Sequence, residues 1–216
     1  MVSNPTTLLQ SELNRLRAEN DALRRELFNL RSFFQALQAL TEAEERFKSN
    51  DDLLGLLRQI VQQTLDLLAA PDGSLMLLDP ATNELEFVIV QGSARGLEGR
   101  RLKPGEGIAG WVAANGKPCV VRDVRTDPRF SARIDEAVAF RTQSIAAAPL
   151  IGNGRVLGVM EVLNQPGAEP FSEVDQALLT LFCRFAGEAL AEIERASDEA
   201  ELFTYQGIEP AQPPED

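Results

Sequence analysis

The sequence predicts an α+β protein: an antiparallel sheet with helices packed on it, preceded by a long N-terminal coiled-coil helix. Three observations predict it. Leucine recurs every seven residues from Leu9 to Leu37. Two stretches of apolar, β-forming residues each fold back about a turn signal, at Asp79–Asn83 and at Asn153-Gly154. A last stretch opens on a helix cap at Ser172 and carries apolar residues at helical spacing to about Ala196.

The heptads come first. Leu9, Leu16, Leu23, Leu30 and Leu37 occupy d positions, and Leu13, Asn20, Leu27 and Phe34 occupy a positions. A lone asparagine at an a position costs stability but pairs with its twin, which favours a parallel, in-register dimer. Glu12, Glu19 and Glu26 at g face Arg17, Arg24 and Arg31 at e of the other chain. Each exposed pair contributes only ~0.2–1 kcal/mol, so these charges select partner and orientation. A helix packed on its own domain would leave them without a purpose. A DNA-reading zipper needs a basic helix before its first leucine, and residues 1–8 hold no Lys or Arg. The expected divisions are a flexible N-terminus over 1–8, coiled coil and connector helix over 9–48, a folded domain over 49–197, and a helix end with an acidic, Pro-rich tail over 198–216, of which 204–216 is expected to be disordered.

Within the domain, Ser49-Asn50-Asp51-Asp52 caps a helix whose stripe is Leu53, Leu56, Leu57, Ile60, Leu65 and Leu68, ending before Pro71. Strands over 74–78 and 85–90 form the first hairpin. A polar loop over 91–101 leads to Pro104-Gly105-Glu106-Gly107 and a short helix over 108–115. Cys119-Val120-Val121 reads as a short strand, and 123–140 as irregular or short-helical. The second hairpin pairs 143–151 with 156–163. Two apolar stripes on the last helix suit burial against the sheet on one side and a partner helix on the other.

Composition narrows the function. The net charge is −12, which opposes binding to nucleic acid or to an anionic membrane. Histidine is absent, removing His bases, His metal ligands and His-held haem. Cys119 and Cys183 lie in separate apolar segments and are expected as free thiols in a reducing, cytoplasmic setting. No leader and no membrane span are expected.

Several motifs, in order and at family spacing, resemble the GAF domain, a ligand-binding signalling module. They are Gly105 to Val112 (GEGIAGWV), Val121 to Phe130 (VRDVRTDPRF), Ser144 to Leu150 (SIAAAPL), Gly158 to Asn164 (GVMEVLN) and Phe171 to Asp175 (FSEVD). The resemblance covers about two-thirds of the chain and implies a pocket between the sheet and the short helices. Carried over, the candidate ligand-binding residues are Ser74, Met76, Ile108, Ala109, Trp111 and Asp127, with Arg129, Phe130, Phe140, Thr142, Ser144 and Glu161. Arg129 and Arg141 would meet an anion; Trp111, Phe130 and Phe140 would stack on a flat ring. The resemblance also implies that the cyclic-nucleotide motif of some members is incomplete here: Asn164, Phe171 and Asp175 match, but Gln165 and Gln176 replace Lys and Glu. The three matching residues are then expected to hold the fold. No bilin, haem or other cofactor is expected.

The span 95–141 holds ten basic and six acidic residues in an otherwise acidic chain. Arg95, Arg100, Arg101 and Lys103 therefore read either as a solvated loop or as the mouth of a pocket for an anion. No Ser–His or Ser–Lys constellation is present. The expectation is a non-enzymatic, homodimeric signalling module that binds a small ligand, an anion being one candidate, and acts through an unidentified protein partner. The alternatives are a scaffold with a closed pocket and a thiol-based redox enzyme.

Overall fold

The computed structural model describes residues 10–17, 19–20, 23, 50–93, 96–164 and 170–205. Within the heptad stretch the described residues are helical, and Leu13, Leu16 and Leu23 are about half exposed on the single chain. Asn20 is also exposed. Glu12 pairs with Arg15 on its own helix at 2.9 Å. Leu9, Leu27, Leu30, Phe34 and Leu37 lie outside the described residues, so the coiled coil itself is not on view.

Helix α1 (Asn50–Leu67) buries the expected stripe. Leu56, Leu57, Ile60, Val61 and Leu65 are buried, while Gly55, Arg58, Gln59, Gln62 and Asp66 face out. Each buried leucine contributes about 1.5–3 kcal/mol relative to exposure. Ala69 takes a left-handed φ of 49° and Pro71 prevents continuation. Strand β1 (Asp72–Leu78) starts two residues earlier than expected, and β2 (Leu85–Gln91) returns beside it. The turn between them is held by Asp79, whose Oδ1 accepts the Ala81 N–H at 2.9 Å and the Thr82 N–H at 3.3 Å. A two-residue strand, β3 (Arg101–Leu102), which the sequence reading placed in a loop, edges the sheet.

Helix α2 (Gly107–Asn115) and strand β4 (Cys119–Val121) follow. A 3₁₀ turn (Val124–Thr126) and helix α3 (Arg133–Val138) occupy the segment expected to be irregular. Strands β5 (Ile145–Gly152) and β6 (Arg155–Leu163) form the second hairpin. Their turn is Asn153-Gly154, with φ of 49° and 73°, the left-handed pair that a two-residue hairpin demands. Helix α4 (Glu173–Tyr205) starts as a reciprocal cap: Asp175 N–H donates to Ser172 Oγ at 3.2 Å, and Ser172 N–H donates to Asp175 Oδ2 at 2.7 Å. It carries residues 204 and 205 as helix, two residues into the segment expected to be disordered; 206–216 lie outside the described residues.

The strands form one six-stranded sheet in the order β3-β2-β1-β6-β5-β4, with every pair antiparallel. Its two faces carry separate cores. On one, α1 and α4 cover Leu75, Ile89, Ala148, Leu150 and Met160. On the other, α2 and the segment through α3 cover Met76, Phe87, Ile145, Ala147 and Val159. A bulge sets the phase of β2: Leu75 pairs with Ile89 but Met76 with Phe87, leaving Val88 extra. Phe87 and Val90, three apart, therefore face the same side.

The expected fold-holding residues behave so. Asn164 accepts the Gln143 N–H and donates to the Arg141 carbonyl at 3.1 Å. Phe171 is fully buried, and Asp175 closes the reciprocal cap with Ser172. Gln165 lies outside the described residues.

Candidate functional site

The entry to α2 shapes the second face. Gly105 and Gly107 have φ of 75° and 70°, and a Cβ on Gly110 would lie 2.6 Å from the Gly105 carbonyl carbon. Only glycines let the turn curl this tightly onto its helix. Between the turn's Gly105 and Gly107, Glu106 projects a carboxylate that takes both Arg133 nitrogens, Nε at 2.7 Å and Nη2 at 2.9 Å, and the Lys103 N–H at 3.1 Å. The pair ties the α2 entry to the start of α3, 27 residues away. Burial pushes the Glu106 carboxyl upward, but Arg133 and the Lys103 N–H outweigh it and hold it below its ordinary value. From α3, Asp135 accepts the Thr142 N–H and hydroxyl, both at 2.8 Å, and pins the lead into β5.

Under these helices lies a cavity of about 60 Å³, room for roughly four to six waters. Its floor is Ser74 of β1 and Glu161 and Leu163 of β6; Ser74 and Glu161 are directly paired across the sheet. Phe87 and Val90 close one side. Ile108 and Ala109 of α2 and Ile134 and Val138 of α3 form the roof. Phe130, Phe140 and Thr142 complete the rim.

Glu161 is enclosed by protein yet keeps accessible surface, because that surface is the cavity wall. Burial pushes its carboxyl up to about 7; the Ala109 N–H, in the first turn of α2, works against that, and the negative Asp135 adds to it.

Of the residues expected at the ligand, the structure brings together Ser74, Ile108, Ala109, Phe130, Phe140, Thr142 and Glu161. Five lie outside the wall. Met76 is fully buried in the core beneath, and Ser144 is buried with its carbonyl accepting the Asn164 N–H. Asp127 and Arg129 close on each other, with Nε–Oδ1 at 2.9 Å and Nη2–Oδ2 at 2.6 Å, and Arg129 lies 4.5 Å over the Trp111 ring. That ion pair and stack hold Arg129 and Trp111 away from the cavity. The Asp127 carboxyl is lowered by its hydrogen bonds from Arg129.

Among the described residues, the basic side chains of the loop do not line the cavity. Arg101 is held by Asp79, Glu84 and Glu86 at the sheet edge. Arg100, Lys103 and Arg141 are exposed, and Arg95 lies outside the described residues. No Lys or Arg among the described residues lines the cavity; Glu106, Asp135 and Glu161 do. The anion-binding expectation is corrected on this point: the described cations of the loop are spent on local carboxylates or face solvent.

Sequence reasoning missed Glu106 and Asp135 as wall residues, and with them Ile134, Val138, Leu97 and Leu102. One signal was present for Arg129. Asp123-Val124-Arg125 and Asp127-Pro128-Arg129 share an Asp-x-Arg spacing, and both close into the same two-point pair.

The cysteines sit in different cores, Cys183 on the buried face of α4 and Cys119 against the cavity-side core. Burial pushes the Cys119 thiol up to about 11 against the opposing charge of Arg129, and burial pushes Cys183 up as well. Both are thiols at neutral pH, the unreactive form. Among the described residues no three of His, Cys, Asp and Glu are placed to hold a metal ion, and no helix is long and apolar enough to cross a membrane.

A single antiparallel sheet, with long helices on one face and a roofed cavity on the other, defines an α+β module built around an internal compartment. Comparison with known proteins gives the family: the model of the GAF domain matches residues 52–190, and the chain belongs to the GAF domain family. It is 30% identical over 175 residues to the dual 3′,5′-cyclic-AMP and -GMP phosphodiesterase 11 of Drosophila melanogaster, matching 71% of this chain and 12% of that protein. The chain thus spans about an eighth of that relative. Among solved structures, part of a methyl-accepting chemotaxis protein, its residues 122 to 287, superimposes with a TM-score of 0.62 at 21% identity, covering 73% of this chain and 98% of that one. The GAF domain of a phosphoenolpyruvate-protein phosphotransferase from Coxiella burnetii gives 0.60 at 24% identity, covering 77% and 96%. At these identities the two structures share the fold.

Proposed function

We propose that this chain is a non-enzymatic sensor: its GAF domain takes a small molecule into the cavity beneath α2 and α3, and the outcome passes through a helical dimer interface to a protein partner. The observation that carries the reading is the cavity itself, a partly open space with an apolar and aromatic wall and a few convergent polar groups, the usual makeup of a small-ligand site. The high thiol pKa values argue against thiol catalysis.

Dimerisation rests on a second observation. Among the described residues, the large apolar side chains most exposed on the single chain are Leu13, Leu16 and Leu23 of the heptads and Val174 of α4. Leu178, Leu181 and Phe185 continue the Val174 line at helical spacing and are only half-buried. A second copy would cover both stripes. Because α1 and α4 pack directly on the sheet whose other face floors the cavity, closure of α2 and α3 on a ligand biases one packed arrangement of those helices.

The test is a thermal-shift screen of cyclic and other nucleotides, amino acids and small organic ions, repeated on Val138→Phe, which fills the cavity from its roof. A compound at ~100 times Kd stabilises by about 2.7 kcal/mol. The expected result is a hit that the Val138→Phe variant loses. No shift with any compound, or shifts that survive Val138→Phe, would favour a scaffold with a closed pocket.

A further inference from the structure

The cavity's charge names the chemistry of its occupant. Its wall contains three carboxyl groups and no cationic side chain among the described residues. The three are not equivalent. Glu106 is neutralised by the two-point pair with Arg133. Asp135 has both oxygens occupied by the Thr142 N–H and hydroxyl, donors that carry no charge. Glu161 lies on the floor, at the centre of the sheet between Ser74 of β1 and Ala147 of β5. The one donor it receives among the described residues is the Ala109 N–H. A carboxylate can accept several hydrogen bonds, so Glu161 presents unused acceptor capacity to the cavity. Around it, Phe87, Phe130, Phe140 and Ile134 offer apolar and aromatic surface.

An anion entering here would meet Glu161 and Asp135 with no guanidinium or ammonium of the described residues in the wall to offset them, at a cost that burial raises. A cation reverses the sign. Resting on the sensor reading above, we propose that the cavity selects small molecules bearing a protonated amine or amidine, with Glu161 as the acceptor of the cationic head and the phenylalanine wall holding a short apolar or aromatic body. This ligand class excludes free carboxylates and phosphates of similar size, the opposite of what the basic loop suggested.

The electrostatics of the apo cavity agree. Burial, with Asp135 from α3 alongside, pushes the Glu161 carboxyl up to about 7. The other charged or titratable groups facing it are the Glu106–Arg133 pair over the α2 entry and the Cys119 thiol from β4, with the Asp127–Arg129 pair beyond. A bound ammonium favours ionised Glu161, so binding expels its proton. Affinity then rises as pH rises toward 7 and levels off above it. From pH 6 to pH 8 the gain is about tenfold for one linked proton.

The probes are two sets matched in skeleton: benzylamine, benzyl alcohol and benzoate; and n-butylamine, n-butanol and butyrate. Calorimetric titration of the full chain at pH 8 should show each amine binding at least about tenfold tighter than its alcohol, with the carboxylate weakest. Glu161→Gln should lower amine affinity at least about tenfold, leave the alcohols within about twofold and abolish the pH dependence. Should that variant fail to fold, the ranking and the pH profile of the natural chain decide. Carboxylates or alcohols binding as well as the amines would overturn this inference while leaving the sensor reading intact. So would amine affinity that Glu161→Gln does not change, or no binding by either set. Loss of the sensor reading is seen separately, as screening hits that persist in Val138→Phe.

Discussion

Replacing Glu161 by Gln should stabilise the protein at neutral and alkaline pH and do nothing in acid. The carboxyl sits near 7 in the folded domain against an ordinary value of 4.5. Below 4.5 it is protonated folded and unfolded, and burial costs little. Between 4.5 and 7 the unfolded chain ionises while the folded one holds its proton, so folding takes up a proton and stability falls as pH rises. Above 7 the full difference is lost. At 1.36 kcal/mol per pKa unit, that is about 3 kcal/mol, or about 6–12 °C in Tm for a chain of this size. Gln has nearly the same shape, can accept the Ala109 N–H and carries no charge to desolvate. The assay is urea unfolding of both proteins from pH 4 to 8.5 at one fixed protein concentration, since dimerisation would make midpoints concentration-dependent. The difference between the two curves should be near zero at pH 4 and open to about 3 kcal/mol by pH 8. Parallel curves, or a variant less stable at pH 8, would refute the claim that Glu161 is held in the cavity as a desolvated acid.

Other substitutions probe the frame that positions the cavity. Phe171→Ala, at a fully buried site under α4, should cost about 3–5 kcal/mol in denaturant unfolding. Gly110→Ala drives a Cβ to within 2.6 Å of the Gly105 backbone and should cost about 1–3 kcal/mol, with NMR shift changes concentrated in 103–112. Ser172→Ala removes the acceptor of the Asp175 N–H and should cost about 0.5–2 kcal/mol. Leu16→Pro with Leu23→Pro should yield monomers by light scattering; a persistent dimer would place the dimer interface on α1 and α4.

Patterns that depend on neighbours in sequence were legible. The α1 stripe, the Asn153-Gly154 turn, the Ser172 cap and the three fold-holding residues Asn164, Phe171 and Asp175 could all be read from spacing and family resemblance. What escaped was set by tertiary choice. The extra residue Val88 rotates Phe87 and Val90 onto one face, which strict alternation denies. Glu106 and Arg133 find each other across 27 residues, and no local pattern announces that this consumes one of the basic groups. The basic excess of 95–141 was real in composition and misleading in space: Arg101, Arg125, Arg129 and Arg133 are each taken by a carboxylate. Asp135 faces the cavity because α3 folds over it, a placement that only the tertiary structure sets.

The account turns on whether a small molecule enters the space between the sheet and α2 and α3. Methyl NMR of the natural chain, titrated with benzylamine at pH 8, reads this directly. Ile108, Ile134 and Ile145 line the cavity, while Ile60 and Ile89 belong to the core on the opposite face. The account predicts saturable shifts at the first three that outrun any at the other two. Saturable shifts confined to Ile60 and Ile89 would contradict it; no shift at all would overturn the amine inference and leave entry to be tested with the hits of the thermal-shift screen.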